Sequence, residues 1–495
     1  MVESSGPSAP ETTVVPLKLS DILAGVPAEL PSVDPAVTGV AYRSDRVVPG
    51  DAFFCISGFT HDGHDFAPDA VARGASAVVV ARPMQGVDAP QAVVPDVRRA
   101  LALASGVAAG SPSAKMDVIG ITGTNGKTTT TYLVEAILRA AGVRTGIIGT
   151  VETRIGDERL PAQRTTPESA DLQSLLANML ARGVHGVAME VSSHAIDLHR
   201  VDGVRFAVAA FTNLTQDHLD YHNTIEEYWS VKRRLFTEMA PRASVVNVDD
   251  PYGRELAEAL GDALTVGRAV DAAVRAMEVQ LRHDGTSFTL ATPVGSVPVH
   301  LPLAGSYNVS NALVAAGCAL ALGVPLETIA EGLAAAPQVP GRLERIDAGQ
   351  PFSVLVDYAH TPDSLSKALG AARRFTDGRV ITVFGCGGDR DPDKRPMMGR
   401  AAGEAADLAI VTSDNPRSED PVSIILQVED GLKEVAADYE VEVDRRRAIR
   451  RAVALACPGD TVLIAGKGHE DYQIFADRTI HFDDREVARE ELGRL

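Results

Sequence analysis

The sequence predicts an α/β protein of three domains, and three observations point there. A glycine-rich loop carrying lysine and threonine, Gly120-Ile-Thr-Gly-Thr-Asn-Gly-Lys-Thr128, separates a short apolar run from a helical one. Apolar strands that end in polar or glycine residues recur through the middle and last thirds of the chain. At 495 residues the chain has room for about three domains, each with its own core.

Residues 1–16 are Pro/Ser-rich without a basic run, which predicts a disordered tail that is neither a signal peptide nor a lipidation site. Residues 17–113 form the first predicted domain. Within it, 47–56 reads as a turn feeding an apolar strand, 58–64 as a polar loop, 67–74 as a helix and 77–80 as a strand. The Ala/Gly/Ser/Pro-rich stretch 105–114 reads as a linker.

The central domain is expected over 114–338. Strand 186–189 runs into Glu190-Val-Ser-Ser-His194, strand 206–211 into Thr212-Asn-Leu-Thr-Gln-Asp-His218, and strand 244–248 into Asp249 and Asp250. Gly305-Ser-Tyr-Asn-Val-Ser-Asn311 precedes an alanine-rich helix, and 337–341 reads as a hinge. The last domain, 339–495, repeats the pattern. Its strands end in Asp357-Tyr-Ala-His-Thr-Pro362, Gly385-Cys-Gly-Gly-Asp-Arg390, Ser413-Asp-Asn-Pro-Arg417 and Gly466-Lys-Gly-His-Glu470. In open parallel sheets ligands sit at such strand ends. No short repeat of fixed period occurs, which argues against a solenoid.

Bulk composition narrows the function classes. Hydrophobic residues are 45% and charged residues 23% of the chain, an ordinary globular balance. A net charge of −19 argues against a general nucleic-acid or membrane-surface binder. Residues 312–326, the longest apolar stretch, are too few to span a bilayer. Cys55, Cys318, Cys386 and Cys457 show no C-x-x-C spacing and read as reduced thiols. The expectation is a cytoplasmic protein with no nucleic-acid or membrane partner.

The glycine loop has the chemistry of a phosphate cradle. Gly123 and Gly126 let backbone N–H groups approach phosphates, Lys127 can reach the β/γ-phosphates, and the Thr128 hydroxyl can ligate Mg²⁺. The usual pattern wants glycine at position 121, where this chain has Ile121. Downstream, Thr224-Ile-Glu-Glu227 reads as a capping box. The helix behind it places Ile225, Tyr228, Trp229, Leu235, Phe236 and Met239 on one face, together with Lys232. An inward lysine loses proton affinity and becomes open to modification. Glu190 and His218, read as adjacent strand ends beside Thr128, suggest a Mg²⁺ shell.

On these residues the chain resembles the Mur ligases, an ATP-dependent, amide-forming family of bacterial peptidoglycan synthesis. The motifs are Thr122-Gly-Thr-Asn-Gly-Lys-Thr128, Thr165-Thr-Pro167, Glu190-Val-Ser-Ser-His194, Asp217-His-Leu-Asp220 and Asp414-Asn-Pro-Arg417, and the resemblance runs from about residue 17 to the end. It implies a UDP-sugar-binding first domain, an ATP-binding central domain and an amino-acid-binding last domain. It implies ATP as co-substrate, held by Gly123, Thr124, Asn125, Gly126, Lys127, Thr128, Thr129, Asn308, Arg342 and Asp357. It implies two Mg²⁺ ions, with Thr128 and Glu190 on one, His218 on the other, and Lys232 carrying a CO2-derived carbamate for the second. Ser44, Thr165, Thr166, Ser192 and Arg200 match contacts to a UDP-muramoyl-dipeptide. Arg390, Asp414, Asn415, Pro416, Arg417, Gly466 and Glu470 match a diaminopimelate pocket.

The implied reaction is amide formation between meso-diaminopimelate and the D-glutamyl γ-carboxylate through an acyl phosphate, by a monomer acting on small molecules. Two departures stand out: the family's uridine motif appears as Ser44-Asp45-Arg46, and a glutamine common two residues before the substrate arginine is Leu198. The rival readings are the same ligation with L-lysine, a folylpolyglutamate synthase-like ligase, and a nucleotide switch. Against the switch, no Asn-Lys-x-Asp motif occurs.

Overall fold

The computed structural model describes residues 16–494 except 59, 163, 283 and 284, and the side chains of Leu219 and Asp220 also fall outside the description. The tail expected over 1–16 therefore lies outside the described residues apart from Pro16. The chain forms two compact units.

The first unit takes in the chain to Asp117 together with Thr166–Gly183 and Ser193–Arg205. Its sheet orders four parallel strands as Gly39–Ala41, Asp51–Phe54, Ala77–Val80 and Gln91–Val93. Phe53, Phe54, Val78 and Val79 are fully buried, so both faces of this sheet are covered. Helix Val97–Ala108 starts where the Asp96 carboxylate accepts from Arg99 N, and helix Ser169–Ala181 packs against it. The linker expected at 105–114 is thus partly wrong. Residues 105–108 are the last turn of a helix, because their small side chains let Gly106 approach the Gly203 carbonyl closely.

Among the described residues the second unit holds two large sheets and a short antiparallel pair, Tyr472–Ile474 with Thr479–His481. The larger has eleven strands, and its middle runs in the order Thr145–Ile148, Gly186–Glu190, Asp117–Thr122, Val208–Phe211 and Ala243–Asn247. Asp117–Thr122 is buried beyond its first residue, as a central strand covered on both faces must be. The helix after the glycine loop, Lys127–Ala140, packs with Ser306–Ala321 and Leu326–Ala334 over one face of the sheet. Glu190 and His218 are not at adjacent strand ends. Strand Asp117–Thr122 lies between their strands, and His218 stands beyond Phe211, as N-cap of the short helix Leu219–His222. Residues 306–311 lie inside the alanine-rich helix rather than before it, with Gly305 as N-cap. The capping box is half formed: Glu227 N donates to Thr224, but the Glu227 carboxylate takes Asn223 Nδ2 instead.

The smaller sheet orders Glu344–Ile346, Ser353–Asp357, Thr461–Ala465, Val380–Phe384, Leu408–Val411 and Tyr439–Val441, parallel after the first pair. Apolar clusters cover both of its faces. Arg445 and Asp484, the first residues of helices Arg445–Leu455 and Asp484–Leu492, form a fully buried bidentate pair at 2.8 and 2.7 Å. Arg445 Nη2 also donates to Ala465 O, the last residue of the strand leading to Gly466. Breaking one partner of such a pair costs about 3–5 kcal/mol, whereas replacing both with apolar groups is often neutral. Arg445→Met is expected to lower unfolding stability in urea by that amount, and Arg445→Met with Asp484→Leu to recover most of it.

Candidate active site

Strand Asp117–Thr122 delivers the glycine loop to the end of the large sheet. Gly123 sits at φ 148°, and a Cβ there would come within 1.9 Å of Thr212 Oγ1. The loop is laced to the neighbouring strand end: Thr124 N donates to Asn213 O at 2.8 Å, Asn125 N to Asn213 Oδ1 at 3.0 Å, and Thr212 Oγ1 to Asn125 O at 2.6 Å. Gly126 caps the following helix at φ 86°.

Two lysines converge on one carbonyl. Lys127 Nζ donates to Gly123 O and Thr124 O, both at 2.8 Å, and Lys232 Nζ donates to Gly123 O at 2.9 Å. Lys232 is 1% exposed on its helix, Ile225–Thr237, with its ammonium 4.5 Å from the Tyr228 ring centroid. Burial first, and then the Lys127 charge, push the Lys232 pKa well below that of an ordinary lysine. Burial also lowers that of Lys127, with Glu190 and Asp217 opposing. The His218 ring lies 6.1 Å from the same Tyr228 ring and 3.5 Å from Asp217 Oδ2. Burial raises Asp217, but His218, His360 and Lys394 outweigh it and hold its carboxyl below the usual range.

Glu190 is 1% exposed and takes Thr128 Oγ1 and Thr150 Oγ1 on Oε2, each at 3.0 Å, and Thr150 N on Oε1 at 2.8 Å. Since the one Thr150 hydroxyl proton goes to Glu190, the Thr165 hydroxyl 3.0 Å away is the donor to Thr150. Thr165 is thereby one hydroxyl removed from Glu190. A buried carboxylate beside a hydroxyl is a hard-oxygen donor set, the type that suits Mg²⁺. No group of three or more His, Cys, Asp or Glu with metal-ligand spacing occurs among the described residues.

The cleft beside the loop has a volume of about 330 Å³ and is lined by Asn125, Gly126, Thr128, Thr129, Asn311, Arg342 and Asp357 among others. Arg342 Nη2 donates to Thr128 Oγ1 at 3.2 Å, its guanidinium lies 4.8 Å from the Tyr358 ring centroid, and its buried Nε has no acceptor among the described residues. That donor is suited to an anion beside Thr128. Asp357 Oδ2 accepts from Leu343 N at 2.7 Å, and burial pushes its pKa up to about 6 against the pull of Arg342. Asn308 does not line the cleft. It sits 3% exposed behind Asn311, taking Asn311 Nδ2 at 3.0 Å, so Asn311 is the amide on the cavity wall.

The expected amino-acid residues gather at the ends of three neighbouring strands of the small sheet. Arg417 sits at φ 53° with Nη1 donating to Gly388 O at 2.6 Å and its N–H to Ile474 O at 3.0 Å. Asn415 Nδ2 donates to Glu470 Oε2 at 2.9 Å. Gly466 lies against Asp414, whose carboxylate would be 2.8 Å from a Cβ at 466. Pro416 is buried, and Arg390 is exposed on the Gly385–Arg390 loop.

The expected dipeptide contacts are divided between the units. Ser44, Thr166 and Arg200 belong to the first, and Thr165 and Ser192 to the second. Arg200 is held by Glu168 at 2.8 Å and donates to Thr166 O at 3.3 Å. Glu168 and Thr150, both orienting groups, went unread in the sequence. Their partners are separated by 32 and 40 residues, so no local spacing announces them. Asn311 could have been found, since it closes the motif that supplied Asn308.

A glycine loop with two converging lysines, an oxygen-donor pair and an arginine-lined cleft defines a nucleotide-phosphate-binding enzyme with a second charged pocket on a Rossmann-like sheet. Comparisons with known proteins agree. Residues 36–110 match the Mur ligase family catalytic domain, 121–319 the Mur ligase middle domain, and 341–468 the Mur ligase glutamate ligase domain. A Geobacillus kaustophilus protein named UDP-N-acetylmuramoyl-L-alanyl-D-glutamate–2,6-diaminopimelate ligase is 49% identical over 92% of this chain and 95% of its own. A Bacillus licheniformis protein of the same name is 46% identical over 97% and 99%. A solved structure of a ligase of that name matches with TM-score 0.71 at 31% identity, covering 97% of this chain and 99% of its own. The chain belongs to the Mur ligase family. The fold is shared more widely, with a Mycobacterium tuberculosis folylpolyglutamate synthase at TM-score 0.63 and 21% identity over 80% of this chain and 96% of its own.

Removing the Lys127 ammonium takes away a charged donor worth about 1.5–3 kcal/mol to a phosphate. Lys127→Ala is expected to weaken ATP binding in titration calorimetry roughly ten- to a hundredfold, with a melting temperature close to that of the parent protein.

Proposed function

We propose that this protein is an ATP-dependent ligase joining meso-diaminopimelate to the γ-carboxylate of UDP-N-acetylmuramoyl-L-alanyl-D-glutamate, a cytoplasmic step in peptidoglycan precursor synthesis. The observation that carries it is the name shared by relatives 46–49% identical over 92% or more of the chain. The site agrees with that chemistry. Segments 17–113, 114–338 and 339–495 are read as the nucleotide-sugar, ATP and amino-acid domains of a monomer. No helix among the described residues is long and apolar enough to cross a membrane.

The γ-carboxylate oxygen attacks the γ-phosphorus of ATP, ADP leaves, and an acyl phosphate forms. The free amine of diaminopimelate then attacks the acyl carbon, phosphate leaves, and the amine proton is released. Attacking and attacked groups are both anionic, so approach requires positive charge. Lys127, on the carbonyls of the glycine loop, and Arg342, on the Thr128 hydroxyl, supply it. Thr128 and Glu190 would hold Mg²⁺, which would offset the same charge. His218 and a carbamate on Lys232 would hold a second ion. A buried lysine whose proton is weakly held presents the lone pair that adds to CO2, giving a carbamate and releasing one proton. Ser44, Thr165, Thr166, Ser192 and Arg200 are read as the UDP-dipeptide contacts.

The second substrate is read by charge. Lysine and diaminopimelate differ by one distal carboxylate. Arg417, with one nitrogen on Gly388 O, keeps further donors for such a group, and the Glu470 carboxylate suits the distal ammonium. Leaving that guanidinium without its partner costs about 2–3.5 kcal/mol, the low end of the range because Gly388 already satisfies one donor. The expected result is a kcat/KM for meso-diaminopimelate roughly thirty- to several-hundredfold above that for L-lysine. Arg417→Ala should close the gap by losing diaminopimelate activity. Equal kcat/KM for the two amino acids in the parent enzyme would overturn the assignment.

Lys232→Ala is expected to lose most turnover, with partial return on adding short carboxylates. Carbon-13 bicarbonate should give a carbamate signal in the parent protein and none in Lys232→Ala.

A further inference from the structure

Lys467 has no role in the reaction as described, yet it is a fully buried lysine inside the amino-acid pocket's own wall. It lies between Gly466 and Gly468, just past the strand Thr461–Ala465. Its ammonium donates to Asn415 Oδ1 at 3.1 Å and to Glu470 Oε2 at 3.4 Å, and lies 5.4 Å from the Tyr472 ring centroid. A buried charge is retained only when its surroundings match it.

The triangle fixes two ligand-facing groups at once. Asn415 Oδ1 accepts both Lys467 Nζ and Ile474 N at 3.0 Å, so the amide can face only one way. Its Nδ2 must then point to Glu470, and it does, at 2.9 Å. Glu470 Oε2 is engaged by both donors, which leaves Oε1 without a hydrogen bond among the described residues. The Glu470 side chain is 17% exposed, so the open oxygen can meet a ligand ammonium. A neutral residue at 467 would leave Asn415 Oδ1 with Ile474 N alone and the Glu470 carboxylate without the ammonium that holds it.

We infer that Lys467 is a positioning residue for the amino-acid substrate, holding Glu470 directly and through Asn415 so that one carboxylate oxygen is presented to the incoming ammonium. The inference rests on the reading that the pocket of Asp414, Asn415, Arg417 and Glu470 takes the amino acid. It adds to that reading a residue that touches no substrate.

The test is steady-state kinetics of Lys467→Met and Lys467→Arg, with each of the three substrates varied in turn. Lys467→Met should raise the KM for meso-diaminopimelate roughly ten- to a hundredfold, the range seen when a group orienting a binding side chain is lost. The KM values for ATP and the UDP-dipeptide should stay within about twofold, and Lys467→Arg should recover part of the loss. A parent-like diaminopimelate KM in folded Lys467→Met, or an equal loss for all three substrates, would overturn the inference. If Lys467→Met does not fold, Glu470→Gln is compared with Glu470→Gln plus Lys467→Met, which removes both charges together. Equal diaminopimelate KM values in those two support action through Glu470, and a further tenfold rise in the double variant overturns it. If the parent enzyme takes a different amino acid, the substrate assignment fails, and the same comparison run with that amino acid still decides the role of Lys467.

Discussion

The carbonyl oxygen of Gly123 takes the ammonium groups of both Lys127 and Lys232, and the active site is arranged around that crowding. Burial weakens the hold of the more enclosed ammonium, that of Lys232, on its proton, and the like charge beside it adds to the effect. Gly123 can occupy this place only because it has no Cβ to meet Thr212 and because its φ of 148° is open to glycine. The conformation of one residue thus sets where positive charge stands and which lysine is chemically unusual.

From there a line of hydroxyls carries order outward. Thr128 accepts from Arg342 and donates to Glu190, Glu190 also takes Thr150, and Thr150 accepts from Thr165. Each hydroxyl has one proton, so the direction of every bond follows from the negative charge on Glu190. Arg342 thereby ties the start of the last third of the chain to the glycine loop. Asn125 and Thr215 do the same through Asp363 at 3.3 and 3.2 Å.

The proposed amino-acid pocket carries backbone strain as well as hydrogen bonds. Arg417 and Asp389 both adopt left-handed backbone at φ 53° and 52°, which costs an L-residue about 1–2 kcal/mol each. The two loops lock one another. Arg417 Nη1 reaches Gly388 O, Ser418 reaches Asp389, and buried Arg395 clamps Glu419 at 2.8 Å. Such a loop loses little freedom on binding, so the charge pattern it presents is a fixed property of the folded enzyme.

Local chemistry made much of this protein readable in advance. The order of strands and loops follows from apolar runs bounded by glycine and polar residues. The phosphate loop follows from glycine, lysine and threonine in register. The inward direction of Lys232 follows from the helical spacing of Tyr228, Trp229, Leu235 and Phe236, all buried together with it. The sequence by itself therefore determined the fold class, the glycine loop that opens a helix and the buried lysine, because each rests on contacts between near neighbours in the chain. Only the tertiary structure decided that strand Asp117–Thr122 stands between the strands leading to Glu190 and His218, that Asn311 and not Asn308 faces the cleft, and that Thr150, Glu168 and Lys467 orient the groups beside them. Strand order and the face a polar side chain presents depend on which distant segments pack together, and no local spacing encodes that.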